Sequence, residues 1–195
     1  MPRLFTAIEI PREIGIHLAM MRGGLPGARW IDPENYHMTL RFVGDVDLRA
    51  AHAIDEVLER VRRPQISLRL LGLDAFGGAK PHSLFAGVDA GDALGELQSE
   101  IERRMRRLGL KPDGRRFVPH VTLARLRGAR DHEVANYLSL RGNFSSVRFV
   151  AKRFALLSSR DSIGGGPYVL EAAYPLQDRD SRAATSDPAR PRAAP

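Results

Sequence analysis

The sequence predicts an α+β fold: two lobes related by an approximate twofold, each a mainly antiparallel sheet with helices packed outside it, and a groove between them. Three observations lead there. Runs with period-two apolar alternation interleave with runs whose apolar residues recur at helical spacing, throughout residues 1–176. The order strand, helix, strand, helix, strand occurs once and then again. The tetrapeptide His-x-Thr-Leu also occurs twice, as His37-Met38-Thr39-Leu40 and His120-Val121-Thr122-Leu123, 83 residues apart and each time in a strand-like run. Beyond the tetrapeptides the halves share little sequence, so the twofold is an expectation about architecture.

Residues 4–8 alternate and read as a strand. Pro11 opens a helix with Ile14, Leu18 and Met21 on one face, and Gly23-Gly24 and Pro26-Gly27 break it. Residues 29–32 make a short strand before the turn Asp32-Pro33-Glu34-Asn35. Residues 37–43 form the strand of the first tetrapeptide, ended by Gly44-Asp45. Ala50, Ile54, Val57, Leu58 and Val61 share one helical face until Pro64. Ile66, Leu68 and Leu70 mark a strand, and residues 84–88 another beyond the loop Gly77-Gly78-Ala79-Lys80-Pro81. Leu94, Leu97, Ile101, Met105 and Leu108 form the clearest helical stripe of the chain, stopped by Gly109. After the turn Pro112-Asp113-Gly114, residues 118–125 carry the second tetrapeptide. Residues 133–140 read as a short helix, and 146–150, 154–158 and 168–174 as the last strands, with Gly164-Gly165-Gly166-Pro167 in the final loop. Residues 177–195 lack periodicity and read as a disordered tail, leaving 1–176 as the folded domain.

Composition narrows the chemistry. The chain has no Cys, which excludes disulfides, zinc–thiolate centres and a thiol nucleophile. No apolar run approaches the ~20 residues of a membrane span, and the opening Met1-Pro2-Arg3-Leu4-Phe5 has no signal-peptide pattern. A cytoplasmic protein with no membrane partner is expected. The net charge of +7 favours a polyanionic partner such as RNA, DNA or a nucleotide. Arg103, Arg104, Arg106, Arg107, Lys111, Arg115 and Arg116 cluster just before the second tetrapeptide; they follow a nucleic-acid backbone or form a solvated helix face.

In a strand, residues i and i+2 project from one face, so each tetrapeptide offers an imidazole and a hydroxyl side by side. Histidine titrates nearest neutrality. Two facing one substrate supply a base and an acid, and Thr is a hydroxyl donor on a stiff stem that suits holding a phosphoryl oxygen. No carboxylate or thiol lies in either motif. The set suits in-line displacement at phosphorus with neither a covalent intermediate nor a metal. His17, His52, His82 and His132 stand outside any such pattern.

The surrounding residues carry a resemblance to a known family. Arg3-Leu4-Phe5-Thr6-Ala7-Ile8, the block Arg29-Trp30 through Asn35-Tyr36-His37-Met38-Thr39-Leu40-Arg41-Phe42-Val43-Gly44, the block Arg116-Phe117-Val118-Pro119-His120-Val121-Thr122-Leu123-Ala124-Arg125, and Phe154-Ala155-Leu156-Leu157-Ser158-Ser159 followed by Tyr168 resemble the two-histidine phosphoesterases. Within them they are similar to the bacterial RNA 2′,3′-cyclic phosphodiesterases, also called 2′-5′ RNA ligases. Phe85 stands where that family commonly has Trp. The resemblance implies hydrolysis of an RNA-terminal or nucleotide 2′,3′-cyclic phosphate to a 2′-phosphomonoester, with weak 2′-5′ ligation as the reverse chemistry and no cofactor. It implies His37 as proton donor to the leaving 3′-oxygen, His120 as proton acceptor from water, and Thr39, Thr122 and Arg125 as phosphate ligands. Strict alternation turns Arg125 away from His120, so its strand must bulge, twist or end there. Alternation places Arg41 beside His37 and Thr39 as a candidate substrate contact. Phe5 and Trp30 are candidates for stacking a base, with core packing as the other reading.

Two other classes stay open on the residues alone: a non-catalytic RNA-binding module using the same groove, and a metal-dependent hydrolase with His37 and His120 as ligands. The latter lacks the further carboxylates or His that such sites carry. A monomer without metal is expected, acting on RNA or a nucleotide with a cyclic phosphate end.

Overall fold

Helix and strand alternate largely as the periodicities predict. The structure, a computed structural model, describes residues 3–114, 116–159 and 166–178. In chain order these form β1 (Arg3–Glu9), α1 (Arg12–Ala19), β2 (Ala28–Trp30), a 3-10 turn (Pro33–Asn35), β3 (His37–Asp45), α2 (Leu48–Glu59), β4 (Ile66–Phe76), β5 (Ser83–Asp89), α3 (Asp92–Arg107), β6 (His120–Leu126), α4 (Asp131–Arg141), β7 (Phe149–Ala151), β8 (Arg153–Ser159) and β9 (Tyr168–Pro175).

The strands lie in the order β7-β4-β5-β6-β3-β1-β8-β9, with β2 also against β6. The two lobes meet where β3 pairs with β6 through Met38 and Val121. The order is symmetric about that junction: β6, β5 and β4 on one side answer β3, β1 and β8 on the other. Each lobe takes its third strand from the other half of the chain. β4 follows α2 but pairs with β5, and β8 follows α4 but pairs with β1.

The four helices among the described residues share one core. Ile14 and Leu18 of α1, Ile54 and Leu58 of α2, Leu94, Leu97, Ile101 and Met105 of α3, and Val134 and Tyr137 of α4 pack with Met38, Leu40, Val121 and Leu123. Burying each large aliphatic side chain contributes about 1.5–3 kcal/mol. The tetrapeptide residues facing the helices are therefore the apolar ones, and pleating sends His37, Thr39, His120 and Thr122 to the opposite, open face. The Asp47 side chain accepts a hydrogen bond from the Ala50 amide at 2.7 Å and caps α2.

Several expectations need adjustment. The strand read from Ile66, Leu68 and Leu70 continues to Phe76. Its register shifts between Leu70 and Leu73, where Gly72 adopts a φ of +73° that other residues rarely reach. The packed chain extends past 176, because the Gln177 amide donates to the Arg63 carbonyl and its carbonyl accepts from Gln65. The rest of the expected tail, from residue 179, lies outside the described residues, as do Gly164 and Gly165 of the final loop. Most of the basic cluster sits at the end of α3, a helix packed on the sheet face away from the tetrapeptide side chains. Arg103 and Arg104 there pair with Glu100, and Arg115 lies outside the described residues. Among the described residues no helix is long and apolar enough to cross a membrane.

Candidate active site

The site is built on the junction of β3 and β6. Since Met38 pairs antiparallel with Val121, the adjacent register sets His37 opposite Thr122 and Thr39 opposite His120. Residues directly opposite share a face and lie side by side. Each histidine thus neighbours the threonine of the other copy as well as its own.

Both imidazoles are anchored alike. His37 Nδ1 donates to the Asn35 carbonyl at 2.8 Å, and His120 Nδ1 donates to the Val118 carbonyl at 2.6 Å. A carbonyl only accepts, so the Nδ1 proton is fixed and Nε2 is the atom free to exchange a proton. Each anchor is a backbone group two residues upstream, invisible as a side-chain pattern.

Aromatic rings flank each imidazole. His37 lies 5.0 Å from Phe5 and 4.8 Å from Tyr168, and His120 lies 4.9 Å from Phe76 and 5.4 Å from Phe85, centroid to centroid. Burial lowers the proton affinity of both. It takes His37 down to about 4, against the opposing pull of the Asn35 hydrogen bond and with help from the charges of His120 and Arg125. His120 is lowered by burial and by Arg125, against its bond to Val118. Both imidazoles are neutral in the free protein at neutral pH.

The same irregularity interrupts both strands. The pairing of β1 with β3 shifts between Thr6 and Ala7, leaving Leu40 as an extra residue. The pairing of β5 with β6 shifts between Leu84 and Phe85, leaving Leu123 as the extra residue. A bulge resets which residues face which way. Arg125 thereby returns to the face of His120 and Thr122, exposed, where uninterrupted alternation would have turned it away.

The equivalent bulge corrects the expectation for Arg41. It points to the helical side, 3% exposed, where Nε donates to Glu102 at 2.6 Å, Nη1 to the Phe42 carbonyl at 2.9 Å and Nη2 to the Lys111 carbonyl at 2.6 Å. Alternation fails for Arg41 because it runs through Leu40, a residue that does not alternate. Phe42, not Arg41, is the groove-face counterpart of Arg125. Trp30 is corrected likewise: it stands opposite Ala124 and tilts against Tyr137 of α4, on the core side. Phe5 does face the groove, but at 4% exposure it packs beneath His37 rather than offering a face for stacking.

A model described as the 2′-5′ RNA ligase superfamily matches residues 18–162. The chain belongs to this superfamily. It is 38% identical over 110 residues to the RNA 2′,3′-cyclic phosphodiesterase of Aeropyrum pernix, a match spanning 55% of this chain and 62% of that one, under two thirds of the relative. It is 32% identical over 155 residues to the enzyme of the same name from Aquifex aeolicus, spanning 75% of this chain and 81% of that one. Among solved structures, Escherichia coli LigT complexed with 3′-AMP superposes with a TM-score of 0.75 at 25% identity, covering 90% of this chain and 99% of that one.

Within this superfamily member, sequence reasoning missed Phe76, Phe85 and Tyr168 as neighbours of the histidines. Phe85 and Tyr168 stand in the sequence only as positions compared with the family, without a role, and Phe76 lies beyond the run marked by Ile66, Leu68 and Leu70. Gly87 was also missed. It pairs with His120, and a Cβ there would come within 2.7 Å of the Leu71 carbonyl oxygen, so no side chain fits at that point of the groove wall. Among the described residues no three His, Cys, Asp or Glu side chains gather to hold a metal ion.

Proposed function

We propose that the groove hydrolyses 2′,3′-cyclic phosphates at the end of RNA or of a nucleotide, yielding a 2′-phosphomonoester. The observation that carries this reading is the reciprocal pairing of two tetrapeptides, with both Nδ1 protons held by backbone carbonyls and both Nε2 atoms left for proton transfer. The names of the relatives and the 3′-AMP complex of LigT support the substrate class.

In this mechanism His120 Nε2 takes a proton from water as the water oxygen bonds to phosphorus, and His37 Nε2 gives its proton to the departing 3′-oxygen. Thr39, Thr122 and Arg125 hold the phosphoryl oxygens as charge builds on them. One turnover leaves the proton on His120, and exchange with solvent resets the pair. In the free protein the more strongly depressed His37 is the weaker base, so it takes up its proton from solvent as the substrate anion binds. The phosphate anion offsets the burial and the Arg125 charge that hold both affinities down. The same site run with a 5′-hydroxyl in place of water gives 2′-5′ ligation. The enzyme acts as a monomer and without metal.

The test is phosphorus NMR of the product from a 2′,3′-cyclic nucleotide and from a short RNA with a cyclic end, both in EDTA. A 2′-phosphate supports the reading. A 3′-phosphate, or no turnover, overturns it.

A further inference from the structure

Arg29 stands directly opposite Arg125 where β2 pairs with β6. Its neighbours Ala28 and Trp30 pair with Leu126 and Ala124, whose side chains are buried on the helical side. Arg29 therefore shares the open face with Arg125, and both are exposed. Neither forms an ion pair with a carboxylate among the described residues. Like charges directly opposite on a sheet destabilise it, so this pair costs stability unless an anion lies between them. On the other flank of Arg125 stands Ser83, 1% exposed, whose buried Oγ has no hydrogen-bond partner among the described residues. Ser83, Arg125 and Arg29 thus form one row across three strands, with unused donors at each position.

The row lies next to the reacting centre. Thr39 and His37 flank β6 opposite His120 and Thr122, and Arg29 continues that flank opposite Arg125. With Leu123 taken up by the bulge, Arg125 is the next groove-face position after Thr122, about 7 Å further along the strand. A chain ending in a 2′,3′-cyclic phosphate has its nearest other phosphate on the 5′-oxygen of the same nucleoside. That is the one anion an RNA end would bring there.

We infer that Arg29, beside Arg125, forms a second phosphate subsite that holds the phosphate on the 5′-oxygen of the terminal nucleotide, so that the preferred substrate is an RNA end rather than a free nucleoside cyclic phosphate. The inference rests on the hydrolytic reading above and deepens it. A guanidinium takes phosphate oxygens in a forked pair of charge-assisted hydrogen bonds.

Three substrates test it: a nucleoside 2′,3′-cyclic phosphate, the same compound bearing a 5′-phosphate, and a dinucleotide ending in the cyclic phosphate. Wild type should favour the second and third over the first. Arg29→Ala should cut that preference about tenfold, through KM rather than kcat, while Arg29→Lys retains most of it. An unchanged preference overturns the subsite, as does a loss confined to the dinucleotide, which would mean recognition of the second nucleoside. If wild type turns over none of the three, the hydrolytic reading fails and the subsite is read by binding instead. The slope of log affinity against log salt for a 5′-phosphorylated trinucleotide should then shrink by about 0.7 in Arg29→Ala, and an unaltered slope overturns the subsite.

Discussion

Met38 lies directly across from Val121 in the only pairing that joins β3 to β6 among the described residues. Neither side chain faces the groove. Both are fully buried against the helices, and their register holds the two half-sites in phase. A slip of one residue would send one histidine to the wrong face.

Replacing either His37 or His120 by Ala should lower kcat for cyclic-phosphate opening by about 10²- to 10⁴-fold. The double variant should fall little further than the worse single one, because acid and base act as a unit. Steady-state kinetics on a 2′,3′-cyclic nucleotide, with circular dichroism to verify folding, measures this. Turnover within tenfold of wild type in either single variant would contradict the acid and base roles of the two imidazoles.

The pH profile of kcat/KM reports the free enzyme. Burial and Arg125 depress both imidazoles, so the bell should have both limbs below 6.5. Arg125→Gln removes a positive charge that lowers both affinities and should move both limbs to higher pH, beyond reducing the rate. Rates measured from pH 4 to 8 on the two proteins decide it, and limbs that stay in place would show that Arg125 does not act on the pair.

Stability should also depend on pH through His37. The unfolded side chain binds a proton near 6.5, the folded one only near 4. Between those values the unfolded state holds more protons, so stability falls as pH drops from 6.5 to 4, by up to about 3 kcal/mol, and is unaffected by this group above 6.5. His37→Gln should flatten that part of the curve. Urea unfolding at a series of pH values reads the slope directly.

Arg41 should matter for folding rather than for substrate. Arg41→Ala leaves Glu102 without its partner and removes a donor from the Phe42 and Lys111 carbonyls, a change expected to cost about 3–5 kcal/mol. Arg41→Met combined with Glu102→Leu should recover much of the loss and keep turnover. A stable but inactive double variant would make Arg41 a substrate contact after all.

Much of this architecture is legible because local periodicity and burial agree. The α3 stripe, the strand runs and both tetrapeptides point the same way from short windows of sequence. The error at Arg41 has one physical source. Alternation carried through Leu40 puts Arg41 on the wrong face. The equivalent extra residue, Leu123, is what brings Arg125 round, and only the family resemblance keeps that residue in view. The aromatic neighbours of the histidines come from β1, β4, β5 and β9, so their meeting depends on strand order, which no local pattern encodes. Arg29 is hidden in the same way: its significance lies in the residue across from it.

The exchange of third strands between lobes also bears on how the chain comes together. β1 precedes every other described strand, yet its outer neighbour β8 follows all of them but β9. Until then a hydrogen-bonding edge stays bare, and His37 lacks the Tyr168 wall that β9 brings. The first half-site is thus begun before the strands of the second are made and closed only after them, so a product truncated before β8 has an unfinished first lobe and an open edge prone to wrong pairing.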